Sequence, residues 1–383
     1  MAEQKTSTAN AVPVGPASVS EARESRGFFS NPEYRAVLAP LSVAAISLAL
    51  LLISSMVLGL PIRDPDAKYV GSPLGLIGLI ALVFIAIDVI PRGIGSARRG
   101  YSGLGGRLKA APREIWRILR ERWATKRGIY AALGLISFYV TYVAYRNLKS
   151  FLPFVRGDEV DASLLQLDRA MFFGNDPGPV LHNLLGTGIT PQILSFVYIG
   201  FLSFVPLSLG AALIWSTKIR TGLWYVTALC LAWLLGAASY YMIPSLGPAY
   251  AAPSLFADLP ITEVTKLQYV LMENRLEVIY DPQTSGAVQS VAAFASLHVA
   301  VILVASLTVQ SAASSRLLKV VMWIFFALTC LATIYFGWHY LIDDIAGLII
   351  GFLAVYIGAR MTGQDWRPYL AWKRRRAARV AAA

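Results

Sequence analysis

The sequence is short of charge and of histidine. Only 15% of its 383 residues are charged, 56% are hydrophobic, and the whole chain has three histidines. Several apolar runs reach about 20 residues, which is the length that a helix needs to span a bilayer. This composition argues against a set of soluble domains and predicts an all-α, polytopic membrane helix bundle.

Cysteine is equally scarce, and its positions give no sign of a disulfide framework or a metal site. Cys230 and Cys330 both lie inside apolar runs, without metal-ligand spacing. Residues 1–30 are polar and hold no apolar signal-peptide stretch, so we expect a disordered cytoplasmic tail there. The first apolar run is too long for a signal peptide and is expected to remain as an anchor.

Eight apolar runs are separated by polar or turn-forming segments. Their expected bounds are 36–60, 73–90, 129–153, 193–215, 223–243, 291–310, 320–336 and 339–360. Basic residues mark the segments that we expect on the cytoplasmic side, namely 92–127, 216–221, 314–319 and the tail 361–383. The segment 154–190 is acidic instead. This alternation predicts a multi-pass protein of the cell membrane with eight spans and both termini in the cytoplasm.

The formal net charge of +12 would suggest a nucleic-acid partner for a soluble protein. Here most basic residues stand between apolar runs, which indicates membrane orientation and no nucleic-acid binding. Within Arg113–Trp123, four apolar residues can share one side of a helix opposite arginines: Ile115, Trp116, Ile118 and Leu119. We expect an amphipathic helix that binds anionic lipids of the inner leaflet, and a partner-binding helix is the alternative. Residues 31–128 would then hold two N-terminal spans and this helix.

Two of the three histidines stand beside long apolar runs, where an ionisable side chain is costly and needs a reason. His298 follows Ser296 closely, and Asp343 stands four residues after His339. On a helix, side chains four residues apart share one face, whereas Asp344 would be rotated by roughly 140° from His339. The predicted topology also puts both histidines at the outer ends of their spans and at the same depth.

Two histidines and a carboxylate are suited to phosphoryl transfer. One imidazole would attack phosphorus, the other would protonate the departing oxygen, and the carboxylate would orient the first imidazole. A metal site with two histidines and one carboxylate is an alternative, but no further ligand cluster and no HExxH sequence supports it. We therefore expect neither a metal nor another cofactor.

Two other readings of these residues stay open. Both histidines could be hydrogen-bonded structural residues at helix ends, although their common depth beside Ser296 and Asp343 argues against this. A transporter could use intramembrane charges to line a path. The ionisable residues, however, cluster at one face of the membrane, and no inverted repeat is evident in the sequence.

Arg146 and Lys149 stand three residues apart at the far end of the third apolar run. They could extend their charges toward lipid head groups, as long cationic side chains commonly do. They could equally form a cationic corner for a phosphate group. The spacing alone does not decide between these two readings.

The two histidine segments resemble motifs of the type 2 phosphatidic acid phosphatase superfamily. Ser296-Leu297-His298 resembles its second motif, and the segment from His339 to Asp343 with Ala346-Gly347 resembles its third. The match is nearest to the inositol phosphorylceramide synthase-like branch, which is also similar in Gly247-Pro248 with Tyr250, in Leu167-Asp168-Arg169, in Phe173-Gly174 and in Asp176-Pro177. The resemblance covers roughly residues 130–360.

This resemblance implies a fold and a role for each site residue. It implies a six-helix catalytic core over 129–360, to which the first two spans would be an addition. It also implies that His339 is the nucleophile that forms a phosphohistidine, with His298 as general acid, Asp343 as orienting carboxylate and no metal. The expected substrate-binding residues are Lys149, Arg146, Ser296, Gly247 and Tyr250.

The sequence departs from the family pattern in three places, of which the first is a modest change in a turn and the other two bear on the substrate. Ala295 stands where proline is usual, Thr333 stands where the phosphatases have an arginine, and their first motif is missing. A phosphomonoester carries close to two negative charges and a diester one, so a pocket with fewer cations favours a diester. We expect head-group transfer from a lipid phosphodiester to a lipid or polyol hydroxyl at the outer leaflet. The alternative is a phosphatase of phosphatidate or of polyprenyl phosphate or diphosphate.

Overall fold

The computed structural model describes residues 32–65, 73–216, 218–313, 315–364 and 366. The predicted tail 1–30 and the residues 367–383 of the predicted basic tail lie outside this part of the chain. The described residues form a bundle of helices without strands. The prediction of an all-α polytopic bundle is therefore confirmed for them.

The chain order of the helices follows the predicted spans closely. The helices of nine or more residues are α1 (Pro32–Leu58), α2 (Pro73–Gly100), α3 (Leu104–Trp123), α4 (Lys126–Val155), α5 (Asp161–Met171), α6 (Pro177–Leu185), α7 (Thr190–Gly210), α8 (Ile219–Met242), α9 (Glu263–Tyr280), α10 (Leu297–Ala312), α11 (Arg316–Tyr335) and α12 (Leu341–Thr362). A π-helical turn, Ala211–Trp215, extends α7.

Six described helices are long and apolar enough to cross a membrane, namely α1, α4, α7 with its π-helical turn, α8, α11 and α12. The protein is thus a multi-pass membrane protein. Helices α2 and α10 occupy the other two predicted spans. Helix α10 has 16 residues, fewer than the about 20 that a full crossing needs. The number of eight spans and the orientation of the termini stay predictions.

Helix α8 is the central helix of the bundle and packs against α1, α4, α10 and α12. Small residues bring α12 close to α10. A Cβ atom built on Gly347 would lie 2.4 Å from the carbonyl oxygen of Ser296, and one on Gly351 would lie 2.8 Å from that of Ala300. Glycines four residues apart allow the backbones of membrane helices to approach in this way. The close approach fixes α12 beside the first turn of α10.

The N-terminal helices are part of the bundle. Helix α1 packs against α4, α8 and α12, and α2 packs against α3. Helix α2 continues through Pro91 to Gly100, beyond the predicted end of the second span at residue 90. Asp88 is buried in α2 and accepts hydrogen bonds from Arg92 at 3.1 Å and from Arg122 of α3 at 2.7 Å. The ion pair with Arg122 joins α2 to α3, whereas the pair with Arg92 lies within α2.

The predicted amphipathic helix is longer than expected and has two apolar faces. Helix α3 begins at Leu104 rather than near Arg113. Ile115 lies against Gly93 of α2, so one apolar face packs within the protein. Trp116 lies apart from that face, is 55% exposed and stacks with Arg120 at 5.0 Å. Trp116 therefore does not share the contact that Ile115 makes with α2.

Candidate active site

The turn before His298 is fixed by the helices on both sides of it. Helix α10 begins at Leu297, later than the expected 291, because the hydroxyl of Ser296 caps it by accepting from the Val299 amide at 3.5 Å. The Ala295 amide donates to the hydroxyl of Ser239 on α8 at 3.0 Å. The Ser296 amide donates to the carbonyl oxygen of Asp343 on α12 at 2.9 Å. His298 therefore stands on a rigid first turn.

His339 lies in the connection between α11 and α12, not on a helix. Gly337 has a φ of +67°, a conformation that suits glycine and ends α11 with a turn. Helix α12 begins at Leu341, and the Tyr340 amide before it donates to the Asp343 carboxylate at 2.9 Å. The reasoning that His339 and Asp343 share a helix face was wrong. The cap at the helix start brings them together instead.

The structure brings the three predicted catalytic residues into one row. Nδ1 of His298 lies 3.4 Å from Nε2 of His339, and Nδ1 of His339 lies 3.5 Å from Oδ2 of Asp343. The second distance is long for a hydrogen bond, and among the described residues His339 Nδ1 has no hydrogen-bond partner. Such bonds are often long before substrate binds. Asp344 points elsewhere and accepts from the Thr333 hydroxyl at 2.9 Å.

Burial sets the protonation of the His339 imidazole. His339 is buried, and desolvation, assisted by the charge of Lys149, lowers its pKa to about 3. A neutral imidazole with a free Nε2 lone pair is the form that can attack phosphorus. The ring of His298 packs against Tyr198 and Phe201, with ring centroids 4.6 and 4.5 Å away. These aromatic rings hold His298 facing His339.

Two cationic side chains of α4 lie in the same cavity as the two histidines. Lys149 and Arg146 line the same cavity as His298 and His339. Lys149 is buried, with its Nζ 4.6 Å above the ring of Tyr240. Arg146 donates to the Tyr142 hydroxyl at 3.2 Å. No carboxylate among the described residues forms an ion pair with either cation. Buried charge without a counter-ion favours an anionic ligand.

The other predicted substrate-binding residues have structural contacts. The Ser296 hydroxyl caps α10, as described above. Gly247 has a φ of +102°, and a Cβ atom there would lie 2.5 Å from the carbonyl oxygen of Trp338. The Tyr250 hydroxyl donates to the backbone of Gln268 at 3.0 Å, and its ring contacts Trp338. These two residues pack around the Trp338 segment and do not line the cavity of the histidines, so their substrate roles stay predictions.

Asp161 is a site residue that the sequence reasoning did not identify. It is the first residue of α5 and is buried. Its carboxylate accepts from the amides of Leu246 and Gly247, both at 2.9 Å, and from the Tyr340 hydroxyl at 2.8 Å. One carboxylate thus joins the turn at 244–247 to the residue that follows His339.

Asp168 of α5 holds the next part of the same connection. Its carboxylate accepts from the amide of Leu341 at 2.9 Å, at the first residue of α12. Burial raises the pKa of Asp168 to about 6. The sequence showed Asp161 and Asp168 seven residues apart in an acidic loop, which puts them on one helix face. That spacing, together with the resemblance of Leu167-Asp168-Arg169 to the family pattern, was the signal that could have pointed to Asp168.

The described residues contain no group of three or more histidine, cysteine, aspartate or glutamate side chains arranged to hold a metal ion.

Comparison with known proteins identifies the family of this chain. A family model described as the PAP2 superfamily matches residues 162–357, a range that includes His298, His339 and Asp343. The chain belongs to the PAP2 superfamily. No curated protein and no solved structure gave a significant match. Membership supports an activity of the lipid phosphatase or phosphotransferase type. The predicted superfamily is confirmed, and the inositol phosphorylceramide synthase-like branch stays a prediction.

The match to the PAP2 superfamily covers only part of the site. It begins after α4, so Arg146 and Lys149 lie outside the matched range. Asp161 also precedes it by one residue. The assignment of these three side chains to the site therefore depends on their contacts in the structure.

Proposed function

We propose that this protein is a membrane phosphotransferase that moves a phosphorylated head group from a lipid phosphodiester to the hydroxyl of a lipid or polyol. One observation carries the proposal. Two facing imidazoles, one of them backed by Asp343, lie at the end of an apolar cavity beside Lys149 and Arg146. This arrangement supplies a nucleophile, an acid and base, and cations for the phosphate.

The transfer takes place in two steps at His339. In the first step, Nε2 of His339 forms a bond to phosphorus, the bond from phosphorus to the departing lipid oxygen breaks, and His298 gives that oxygen a proton. In the second step, His298 takes a proton from the acceptor hydroxyl, whose oxygen attacks phosphorus and displaces His339. The Asp343 carboxylate accepts from Nδ1 and stabilises the cationic ring of the phosphohistidine.

Phosphate binding has to separate the two histidines. In-line displacement puts the attacking and departing oxygen or nitrogen atoms on opposite sides of phosphorus. The 3.4 Å between His298 Nδ1 and His339 Nε2 leaves no room for phosphorus between them. The contact therefore describes the resting site, and the ring of His298 moves away from His339 when a phosphate binds next to Lys149.

The position of Thr333 favours transfer from a diester over hydrolysis of a monoester. The phosphatase members of the family pattern have an arginine there. In this protein Thr333 is buried and its hydroxyl donates to Asp344 at 2.9 Å. The pocket thus has one cation fewer, which suits the single charge of a diester. A lipid phosphate phosphatase is the second candidate, and membership of the PAP2 superfamily favours it.

Acceptor dependence separates the two activities. The purified protein is given a diester lipid with a radiolabelled phosphate, with and without a lipid or polyol alcohol. We expect the labelled head group to appear on the alcohol. A phosphatase would instead release free phosphate from phosphatidate or a polyprenyl phosphate and leave the diester intact. That result would replace the transferase by the second candidate.

We also propose that the site faces the outer leaflet of the cell membrane, with both termini in the cytoplasm. The basic segments at 92–127 and 314–319 support this orientation. The exposed apolar residues of α3, which include Leu104 and Leu108, together with its arginines support contact with anionic inner-leaflet lipids.

A further inference from the structure

The cavity that begins at the histidines is much longer than a phosphate site. It has a volume of about 910 Å³ and lies between α4 and α7. Its lining on α4 runs from Lys149 back to Gly128. At 1.5 Å per residue these 21 steps correspond to about 31 Å, which is the thickness of the hydrocarbon core of a bilayer. The cavity is therefore about as long as the hydrocarbon core of a bilayer is thick.

The walls of the cavity change from polar to apolar along its length. Charged and hydroxyl-bearing side chains occur at the histidine end, where Arg146 and Tyr145 stand next to Lys149. Towards the other end the lining of α4 consists of Leu135, Ala132 and Ala131. A wall of this kind favours an amphiphile whose phosphate lies at the histidines and whose chain extends along α4.

The N-terminal helix α2 lines the part of the cavity that is far from the histidines. Ala81, Phe84 and Ile85 of α2 form part of its lining. The ring of Phe84 lies against Gly210 of α7, where a Cβ atom would come within 2.8 Å of it, and 5.4 Å from the ring of Trp215. Helix α2 is thus a wall of the cavity as well as part of the bundle.

We propose that this cavity binds one hydrocarbon chain that is longer than a single leaflet is thick, as in a polyprenyl lipid, and that α2 sets the length it accepts. An ordinary leaflet chain ends near the midplane, about 15 Å from the head groups, and would fill only the upper half of the cavity. The continuity of the cavity with His298 and His339 makes the chain part of the lipid substrate. This inference rests on the proposed function.

A chain-length series tests the inference without requiring turnover. Polyprenyl monophosphates of about 10 and about 30 carbons, each with a photoreactive group at the chain end, are crosslinked to the protein in nanodiscs. We expect the long probe to label α2 and the end of α7 near Ile214. The short probe should label α7 near Tyr198 and Phe201, which line the upper cavity. Labelling of the outer, lipid-facing helix surfaces by both probes would overturn the inference.

Two variants of α4 provide the matched comparison. Ala132 lines the cavity 17 residues from Lys149, or about 25 Å along the helix, whereas Ile136 does not line it and is 56% exposed. Ala132→Trp should weaken binding of the long probe at least tenfold and leave the short probe unchanged. Ile136→Trp should affect neither. If Ala132→Trp does not fold, Leu209→Trp on α7 fills the same region, with Leu207→Trp as its exposed control.

The outcomes separate this inference from the proposed function. Equal binding of the long probe to Ala132→Trp and to the unchanged protein, together with acceptor-dependent transfer, would overturn the inference alone. Crosslinks along the cavity without any transfer from a diester would overturn the proposed function and support the inference.

Discussion

At the scale of single residues, the site depends on a choice between two neighbouring aspartates. Asp343 and Asp344 are both buried, and they follow His339 by four and five residues. Only Asp343 approaches the His339 ring, at 3.5 Å, while Asp344 accepts from Thr333. The two carboxylates therefore have different roles: one orients the nucleophile and the other joins α12 to α11.

Asp343→Asn should lower kcat by about 100-fold or more with little change in KM. An amide cannot stabilise the cationic ring of a phosphohistidine as a carboxylate does, and acid–base groups contribute about 10²–10⁴-fold. Asp344→Asn is the matched control, because its amide oxygen still accepts from Thr333. Steady-state kinetics on both variants measure this. A larger loss of kcat in Asp344→Asn would contradict the assignment.

At the scale of elements, helix α5 supports the segments that carry the histidines. Its two buried carboxylates accept from the turn at 244–247 and from the start of α12. The 244–247 turn also holds the segment before His298, because the Ala293 amide donates to the Ser245 carbonyl at 2.9 Å. Asp161 and Asp168 act through the backbone and are positioning residues.

Asp161→Asn should lower both stability and kcat. The amide group of asparagine brings a donor against the amides of Leu246 and Gly247, and a lost buried acceptor costs about 1–3 kcal/mol. The exposed Asp158, three residues earlier, gives Asp158→Asn as control. A positioning role predicts that kcat falls while KM for the diester stays the same. A loss of thermal stability with unchanged kcat would show that Asp161 is only structural.

The contact of α10 with α12 gives a second prediction for an element. Gly347→Ala should lower the melting temperature and the activity together, because the new Cβ atom would meet the Ser296 carbonyl at 2.4 Å and displace the turn before His298. Gly105→Ala in α3 is the control, since a Cβ atom there has open space and should be neutral or slightly stabilising. An active Gly347→Ala protein of unchanged stability would refute this packing.

The sequence predicted that His339 and Asp343 meet, but not how they meet. The apolar runs and the basic loops give most of the helices, because a bilayer leaves few other structures open to such segments. The pairing of His339 with Asp343 followed from their spacing, although a helix cap rather than a helix face creates it. Asp161 and Tyr340 are 179 residues apart, and no local pattern predicts a hydrogen bond between them.

At the scale of the whole molecule, the bundle places polar chemistry at one end and an apolar cavity along its length. The central helix α8 carries Ser239 and Tyr240, which touch the His298 turn and Lys149 respectively. Helices α2, α4 and α7 surround the cavity that leads away from them. A lipid can thus bring its phosphate to His339 while its chain stays in hydrocarbon.

The most direct test of this account is to trap the intermediate on His339. The protein is incubated with a diester lipid labelled at phosphorus, without an acceptor alcohol, and is then denatured in alkali, in which phosphohistidine survives. We expect label on the peptide that contains His339, loss of that label when an acceptor alcohol is added, and no label in His339→Ala. Head-group transfer without any detectable label on His339 would contradict the mechanism. Full activity of His339→Ala would contradict it as well.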